Sequence, residues 1–499
     1  TFNAFFCFKL QINSCNKSAL WTAYNSIHIV KSRRLSVINF VGSIIWTYLI
    51  DKSMVYPEFP NHDDFTAISK VLAGECEGEI AVRGWIYRTR SSGKLAFIVI
   101  RDSSGSIQST VSKKNVTESS FSDARKALIE SSVIVKGTPA KDDRAPGGWE
   151  IRVSDFEVVH FAETFPITKD QSDEHLLNNR HLWLRSQSMV ASLKIRSTVF
   201  KAFRDYWTDN EFTEIQSPSF TTSACEGGST LFNVYYDDEK EKAGQKFYAH
   251  LSQSWQLYAE ATMFGLENIF TLAPSFRAEK SRTRRHLTEF WHAEVESAWM
   301  HNHQMMELEE GMIMHIIESV LSSNRKELEI LGRDISVLEN IKAPFERFTY
   351  EEVLDKLNSM GFDLSWGDDF GYKEEKALTQ DLTSPMYITN FPREKGFYHR
   401  PDPNDSKSLV CHDLLAPEGY GEIIGGGERV WSSDELTERI REEGLEPESY
   451  GWYLDIRKFG SVPHSGFGLG IDRTVSWICG SDHIKHVIPF PRTMRRTTP

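Results

Sequence analysis

From Glu79 the chain alternates apolar and polar positions, the two-residue period of a half-buried strand. EIAVRGWIYRTR, KLAFIVIRD and GSIQSTV carry that period in turn, and Ser91-Ser92-Gly93 and Asp102-Ser-Ser-Gly105 between them predict hairpin turns. A helix-like piece over about 118–130 follows, after which SSVIVKGTP and WEIRVSDFEVVHF return to alternation. Beyond residues 162–180 (AETFPITKDQSDEHLLNNR) the period lengthens. RHLWLRSQSMVASLKIRSTVFKAFRDYWTDN predicts one long amphipathic helix with Leu193, Val199, Ala202, Phe203 and Tyr206 along its apolar stripe, and a strand then runs to Pro218. Met305–Leu321 predicts a second such helix, and Val353–Met360 and Asp434–Gly444 predict shorter ones among strands. The methionines of the second helix lie on its buried stripe and carry no chemistry.

Five short strands with a helix between the third and fourth predict an OB-fold barrel, a common oligonucleotide-binding module. The later elements predict helices packed on an antiparallel sheet, so the fold class is α+β with the barrel first. A chain of 499 residues is too long for one core and requires two or three domains. The boundaries read as 54–161 for the barrel, 162–180 for a linker and 181–499 for the larger domain. With 40% hydrophobic and 25% charged residues the composition is that of a globular protein. The net charge of −13 excludes a protein that coats nucleic acid non-specifically, but leaves room for a local basic face. The six cysteines are scattered, with no metal-ligand spacing, which predicts free thiols in a reducing compartment, the cytoplasm, and no structural zinc. Residues 1–53 hold no acid before Asp51 but five basic residues, Lys9, Lys17, Lys31, Arg33 and Arg34. They predict a leader outside the fold, either an organellar targeting segment or translated upstream sequence with the start at Met54. The apolar run Val37–Ile50 is shorter than a membrane span needs, so no membrane partner is expected.

The chemistry concentrates in residues 268–299, NIFTLAPSFRAEKSRTRRHLTEFWHAEVESAW, a strand, a charged loop and a second strand. An Arg and a Glu at one lip of such a hairpin and an aromatic at the other suit a nucleotide. Arg277 would neutralise an α-phosphate, Glu279 would read the exocyclic amine of adenine and Phe290 would stack on the ring. A second glycine-rich element, PHSGFGLGIDR (Pro463 to Arg473), lets a strand pass close to a ligand before a helix begins. Arg473 would cover the other face of adenine and contact the γ-phosphate. FRxE followed by HxxxF, which brings in His286, resembles motif 2 of the class II aminoacyl-tRNA synthetases, and GxGxDR resembles motif 3. FTEIQSPSF with Pro218 is similar to motif 1, which in that family builds the homodimer interface. The resemblance runs from about Glu79 to Pro499 and is strongest to the asparaginyl members of the aspartyl, asparaginyl and lysyl subgroup.

That resemblance implies ATP as co-substrate, Mg2+ as cofactor, and a tRNA partner. Arg277 and Arg473 become the catalytic residues, and Glu279, His286, Phe290 and Glu422 further ATP contacts. In the barrel, Phe97 and Gln108 match an aromatic and an amide that read the middle anticodon base, and Arg88 and Arg90 match basic neighbours. In LSQSWQLYAEA, aspartyl relatives carry Lys where Ala259 stands and Gln where Glu260 stands. Loss of the cation and gain of an anion imply a slot for L-asparagine rather than aspartate, and hence tRNA(Asn) as acceptor. Arg429 would donate to the amide oxygen and Glu260 accept from the amide nitrogen. SACEGGSTLF, from Ser223, resembles the loop that closes over the amino acid, with Glu226 and Gln256 aimed at its ammonium. Glu422 and Asp413 match the metal-binding acids. The interval between those two acids is longer than in aspartyl enzymes, a departure that bears on Asp413. His464 is either a nucleotide contact or a structural histidine. An aspartyl-tRNA synthetase would carry Lys at 259, and a synthetase-like asparagine synthetase would lack the barrel. A non-catalytic binding relative would have lost Arg277, Glu279 or Arg473.

Overall fold

The computed structural model describes residues 62–169, 171–225, 230–235, 248–279 and 284–499; the leader expected over 1–53 and Glu226 lie outside them. The chain divides into two compact units, with the boundary between Pro166 and Ile167.

The first unit is a closed barrel of β1 (Ile80–Ser92), β2 (Leu95–Arg101), β3 (Ser106–Ser112), β4 (Ser132–Lys141) and β5 (Trp149–His160) in the order β1-β2-β3-β5-β4. Alternation sends Val82, Ile86, Ile98, Ile100, Ile107, Val135 and Val153 inward. Gly84 is required, since a Cβ there would stand 2.1 Å from the carbonyl oxygen of Arg101. The helix Glu118–Lys126 lies between the third and fourth strands, as the sequence predicts, and buries Phe121 and Ala124 against the barrel. Thr117 caps it, accepting from the Ser120 amide at 3.1 Å.

The second unit is built on an eight-stranded sheet in the order β12-β13-β14-β15-β16-β11-β10-β6. Its strands are β6 (Thr213–Glu214), β10 (Asn268–Phe276), β11 (Glu289–Ala298), β12 (Glu346–Thr349), β13 (Met386–Thr389), β14 (Cys411–Ala416), β15 (Gly421–Glu428) and β16 (His464–Gly470). The six central strands pair antiparallel as expected, but β12 with β13 and β6 with β10 pair parallel, so the sheet is mixed at its edges. A small sheet of β7 (Phe220–Thr221), β8 (Asn233–Tyr235) and β9 (Tyr248–Leu251) stands beside it.

The helices Gln187–Asp209 and Asn302–Ser323 pack on the large sheet through Ile195, Val199, Phe203, Trp207, Met305, Met312 and Ile316. The long helix predicted from residue 180 is interrupted. A short helix, Arg180–Trp183, precedes a break, and Ser186 starts the helix afresh by accepting from the Met189 amide at 3.3 Å. Arg180 is wholly buried and turns into the main chain near the C-terminus, donating to the carbonyls of Lys485 at 2.6 Å, Ile488 at 2.5 Å and Pro489 at 2.8 Å. Among the described residues no helix is long and apolar enough to cross a membrane.

Candidate active site

The hairpin of β10 and β11 brings the first cluster together. Ser275 pairs with Phe290 and Phe276 with Glu289, and the Arg277 amide extends the ladder to the Thr288 carbonyl at 3.0 Å. Arg277 thus leaves the strand end with its direction set. Its guanidinium lies 5.5 Å from the Phe290 ring centre, and its Nε donates to the Gln253 carbonyl at 3.4 Å. Glu279 and His286 face each other at 3.6 Å across the loop mouth. Opposite them β16 runs into the helix Ile471–Ile478, whose Asp472 accepts from the Trp291 amide at 2.9 Å and pairs with Arg196. That anchor aims Arg473 at the cleft, where it meets both the carbonyl and the carboxylate of Glu422 at 3.0 Å. Arg277, Glu279, His286, Phe290, Glu422 and Arg473 therefore line one cleft, as the sequence predicts. Arg285, which the sequence patterns do not single out, lines it too, donating to the Tyr420 carbonyl at 2.9 Å and pairing with Glu375.

Gly468 and Gly470 of β16 line the cleft, and the glycines of this strand also make room for β11. A Cβ at Gly468 would stand 2.3 Å from His292 Nε2, and one at Gly466 only 1.9 Å from Glu296 Oε2. Side chains of the neighbouring strand β11 therefore occupy the space beside these two glycines.

Charges in the cleft are strongly biased. Burial alone would raise Glu422, but Arg473 and Lys395 outweigh it and hold its carboxyl at about 2. Burial and then Arg473 push His286 down to about 4, so it is a neutral imidazole near neutral pH. Asp413 goes the other way, raised to about 6 by burial, with Glu422 adding to the effect against Lys395. Asp413 and Glu422 both approach the space over Gly425, where a Cβ would lie 3.3 Å from one carboxylate and 3.8 Å from the other. Two hard oxygen donors converging on a space that glycine keeps open suit Mg2+. Asp413 also pairs with Lys395, a second residue that no sequence pattern marks.

Beside this cleft lies a buried ionic cluster. Glu260 is completely enclosed, and burial would raise it. Arg457, His464 and Arg429 reverse that and hold the carboxyl well below the usual range. One of its oxygens accepts from Tyr453 at 2.7 Å, His464 at 3.1 Å and Arg457; the other accepts from the Gln256 amide nitrogen at 2.9 Å. Glu260 therefore has no oxygen open to solvent, and the expected direct acceptance from a substrate amide needs correcting. Its influence passes through the groups it holds, Gln256 first among them. Arg429 forms a two-pronged pair with Glu296 at 2.9 and 3.1 Å. Oxygens of Glu260 and Glu296 and a nitrogen of His464 lie within 4.8 Å of one another, but Arg457 and Arg429 already neutralise the acids. Both ring nitrogens of His464 are occupied, by the Val462 carbonyl and Glu260, as in the structural reading of this residue. Ala259 points away from this cluster, into an apolar group with Trp255, Met263, Ile269 and Val462. Ser223 is buried and donates to the Ser449 carbonyl at 3.3 Å, and Tyr450 donates to the Ala224 carbonyl at 2.7 Å, so the segment after Pro447 secures the loop before Glu226.

In the barrel, Arg90 pairs with Phe97, Phe97 with Thr110 and Val99 with Gln108 across β1, β2 and β3. Arg88 and Arg90 are exposed and Phe97 half-buried. Gln108 donates to Glu150 at 3.3 Å, which Thr110 also meets at 2.5 Å; Glu150 is a member of this face that the sequence alone does not reveal. Pro218 is exposed beside Phe220, which is 60% accessible.

Comparison with known proteins agrees with this geometry. Residues 172–494 match the family of class II tRNA synthetases (D, K and N), and residues 80–159 match the OB-fold nucleic acid binding domain. An asparagine–tRNA ligase of Thermoplasma acidophilum is 50% identical over 422 residues, 84% of this chain and 96% of that protein. The crystal structure of asparaginyl-tRNA synthetase from Pyrococcus horikoshii complexed with asparaginyl-adenylate superposes with a TM-score of 0.83 at 44% identity, covering 87% of this chain and 99% of that one. An aspartyl tRNA synthetase of Entamoeba histolytica gives a TM-score of 0.74 at 25% identity, covering 87% of this chain and 93% of that one.

Proposed function

Because this chain belongs to the class II aminoacyl-tRNA synthetases, in their asparaginyl branch, we propose a two-step ligation carried out by these residues. L-Asparagine and ATP give asparaginyl-adenylate and pyrophosphate; the terminal ribose hydroxyl of tRNA(Asn) then attacks the acyl carbonyl and releases AMP. Neither step needs a side-chain nucleophile. Catalysis is alignment of the carboxylate with the α-phosphorus, with Arg277 matching charge that grows on the phosphoryl oxygens. Phe290 and Arg473 hold adenine between a ring and a guanidinium, and Glu279 accepts from its amine. Asp413 and Glu422 would hold Mg2+, which supplies charge neutralisation at the phosphate oxygens. Neutral His286 offers a hydrogen bond without adding charge.

The observation that carries the amino-acid assignment is the balance of charge beside the cleft. Arg457 is matched by Glu260 and Arg429 by Glu296 before any substrate arrives. A carboxamide enters such a slot without disturbing the balance. An aspartate carboxylate would bring one negative charge into a slot whose Arg429 and Arg457 are already matched, so no cation there is left to meet it. Arg429 orients the amide oxygen, and Gln256, its nitrogen end held by Glu260, offers its carbonyl to the α-ammonium. Glu226 is assigned a second contact to that ammonium by family resemblance. On the barrel, Phe97 stacks on a splayed anticodon base beside Gln108, Arg88 and Arg90.

Exposed Phe220, Leu266 and Trp299, on or near the segment of Pro218 and the adjacent edge of the sheet, support a homodimer through that surface. The free thiols of Cys76, Cys225, Cys411 and Cys479 support a cytoplasmic location. Amino-acid-dependent pyrophosphate exchange tests the assignment. Exchange with asparagine should exceed that with aspartate by about a hundredfold or more, and equal rates would refute it.

A further inference from the structure

Gln253 has no part in the ligation as set out above. It is 2% exposed and stands between β9 and the helix Gln256–Leu266. A buried amide must find partners for its oxygen and its nitrogen or forfeit their hydration. Gln253 finds both on one segment. Its Oε1 accepts from the Cys225 amide at 3.1 Å, and its Nε2 donates to Thr230 Oγ1 at 2.6 Å. The Cys225 N–H can only donate, so it fixes which end of the amide faces it. The two arms hold the chain at 225 and at 230, on either side of the position that family resemblance assigns to the α-ammonium, Glu226.

The main chain of the same segment serves the other substrate. The Gln253 carbonyl accepts from Arg277 Nε at 3.4 Å, and the Ser252 carbonyl accepts from the Phe276 amide at 2.9 Å. The Ala278 amide donates to the Thr230 carbonyl at 2.7 Å. Arg277 is thus bracketed. Phe276 before it is tied to Ser252, Ala278 after it is tied to Thr230, and Thr230 is held in turn by the Gln253 side chain. Towards the amino acid the contacts continue, because Cys225 Sγ lies 3.9 Å from Gln256 Oε1 and the Gln256 amide donates to Ser254 Oγ at 3.1 Å. One buried residue therefore joins the wall of the amino-acid slot to the guanidinium assigned to the α-phosphate.

We infer that Gln253 is a positioning residue that couples the two subsites, so that ATP strengthens the hold on asparagine and asparagine the hold on ATP. The inference rests on the proposed function, which puts Arg277 on the α-phosphate and Glu226 and Gln256 on the ammonium. A phosphate that draws on the Arg277 guanidinium acts on the Gln253 carbonyl directly and on Thr230 through Ala278. Both pulls meet in the side chain that also sets Cys225, and members of such a hydrogen-bonded network are not independent. Whichever ligand fixes the bridge first leaves less for the second to order, and by linkage the two effects are equal.

Calorimetric titration of the full chain with asparaginol, the alcohol analogue that lacks the reacting carboxylate, tests this with and without saturating ATP and Mg2+. In the unmodified protein ATP should tighten asparaginol binding about tenfold, within the usual range for coupled sites, and asparaginol should tighten ATP by the same factor. Gln253→Met keeps the bulk of the side chain but neither hydrogen bond. It should bring both factors to about one while each ligand alone still binds. Thr230→Val cuts one arm only and should lower the factor too, which keeps the inference testable if Gln253→Met does not fold. Coupling absent from the unmodified protein, or retained in full by the folded variants, would overturn the inference. So would a variant in which the melting temperature and both separate affinities fall while the factor survives, since Gln253 would then only support the fold. Absence of asparagine-dependent pyrophosphate exchange in the unmodified protein would instead refute the function itself.

Discussion

Arg277 carries the charge in the proposed adenylate step, and its main chain is tied to Thr288 with its guanidinium 5.5 Å from the Phe290 ring centre. Arg277→Ala should lower pyrophosphate exchange by about a hundredfold to a thousandfold, the loss typical of one preorganised charge donor, with the melting temperature unchanged. Asp413 sets the acidic limit. Burial raises its carboxyl to about 6, so as pH falls through 6 it takes up a proton and the pair with Glu422 loses one negative charge. The Mg2+ concentration for half-maximal exchange should then climb about tenfold per pH unit below 6, and Asp413→Asn should abolish that dependence. Residues of this kind were legible in the sequence when they sat in a short pattern. Arg277, Glu279, His286 and Phe290 fall within one hairpin, and Arg473 follows a run of glycines. Lys395, Glu296 and Arg457 were not legible, because their partners lie 18, 133 and 197 residues away and no local spacing signals such pairs. Glu260 shows the same limit from the other side. The sequence marked it as a substrate contact, but it is buried against four partners, Gln256 among them.

At the scale of elements, β16 and β11 work as one unit in which glycine on one strand accommodates a polar side chain on the other. Gly466→Ala would place a methyl 1.9 Å from Glu296 Oε2 and displace the partner of Arg429. The expected cost is about 1–3 kcal/mol of stability, measured by denaturant unfolding, together with a higher KM for asparagine. A variant with native stability and native KM would show that Glu296 is not held there. Strand and helix positions were largely legible, since the period of two in the barrel and the longer period after residue 180 both arise from one-sided burial. The break at Leu184–Ser186 was not.

At the scale of the molecule, the residues proposed to choose the amino acid and those proposed to read the anticodon lie in separate compact units. Phe97→Ala should therefore weaken charging roughly tenfold, the worth of one stacked base, while asparagine-dependent pyrophosphate exchange continues at its native rate. Loss of both activities together would mean that Phe97 supports the fold of the barrel rather than a base. The barrel was legible because five strands and a helix in fixed order leave few alternatives.

The knot of Glu260, Arg457, Tyr453 and His464 has no exposed side chain to offer to ions. Enclosed charges of this kind are scarcely screened, unlike the exposed Arg88 and Arg90 of the barrel. Fidelity and throughput should therefore respond differently to the ionic state of the cell. A rise in salt would slow delivery of the acceptor, yet the error rate in telling asparagine from aspartate would stay where the protein interior fixes it.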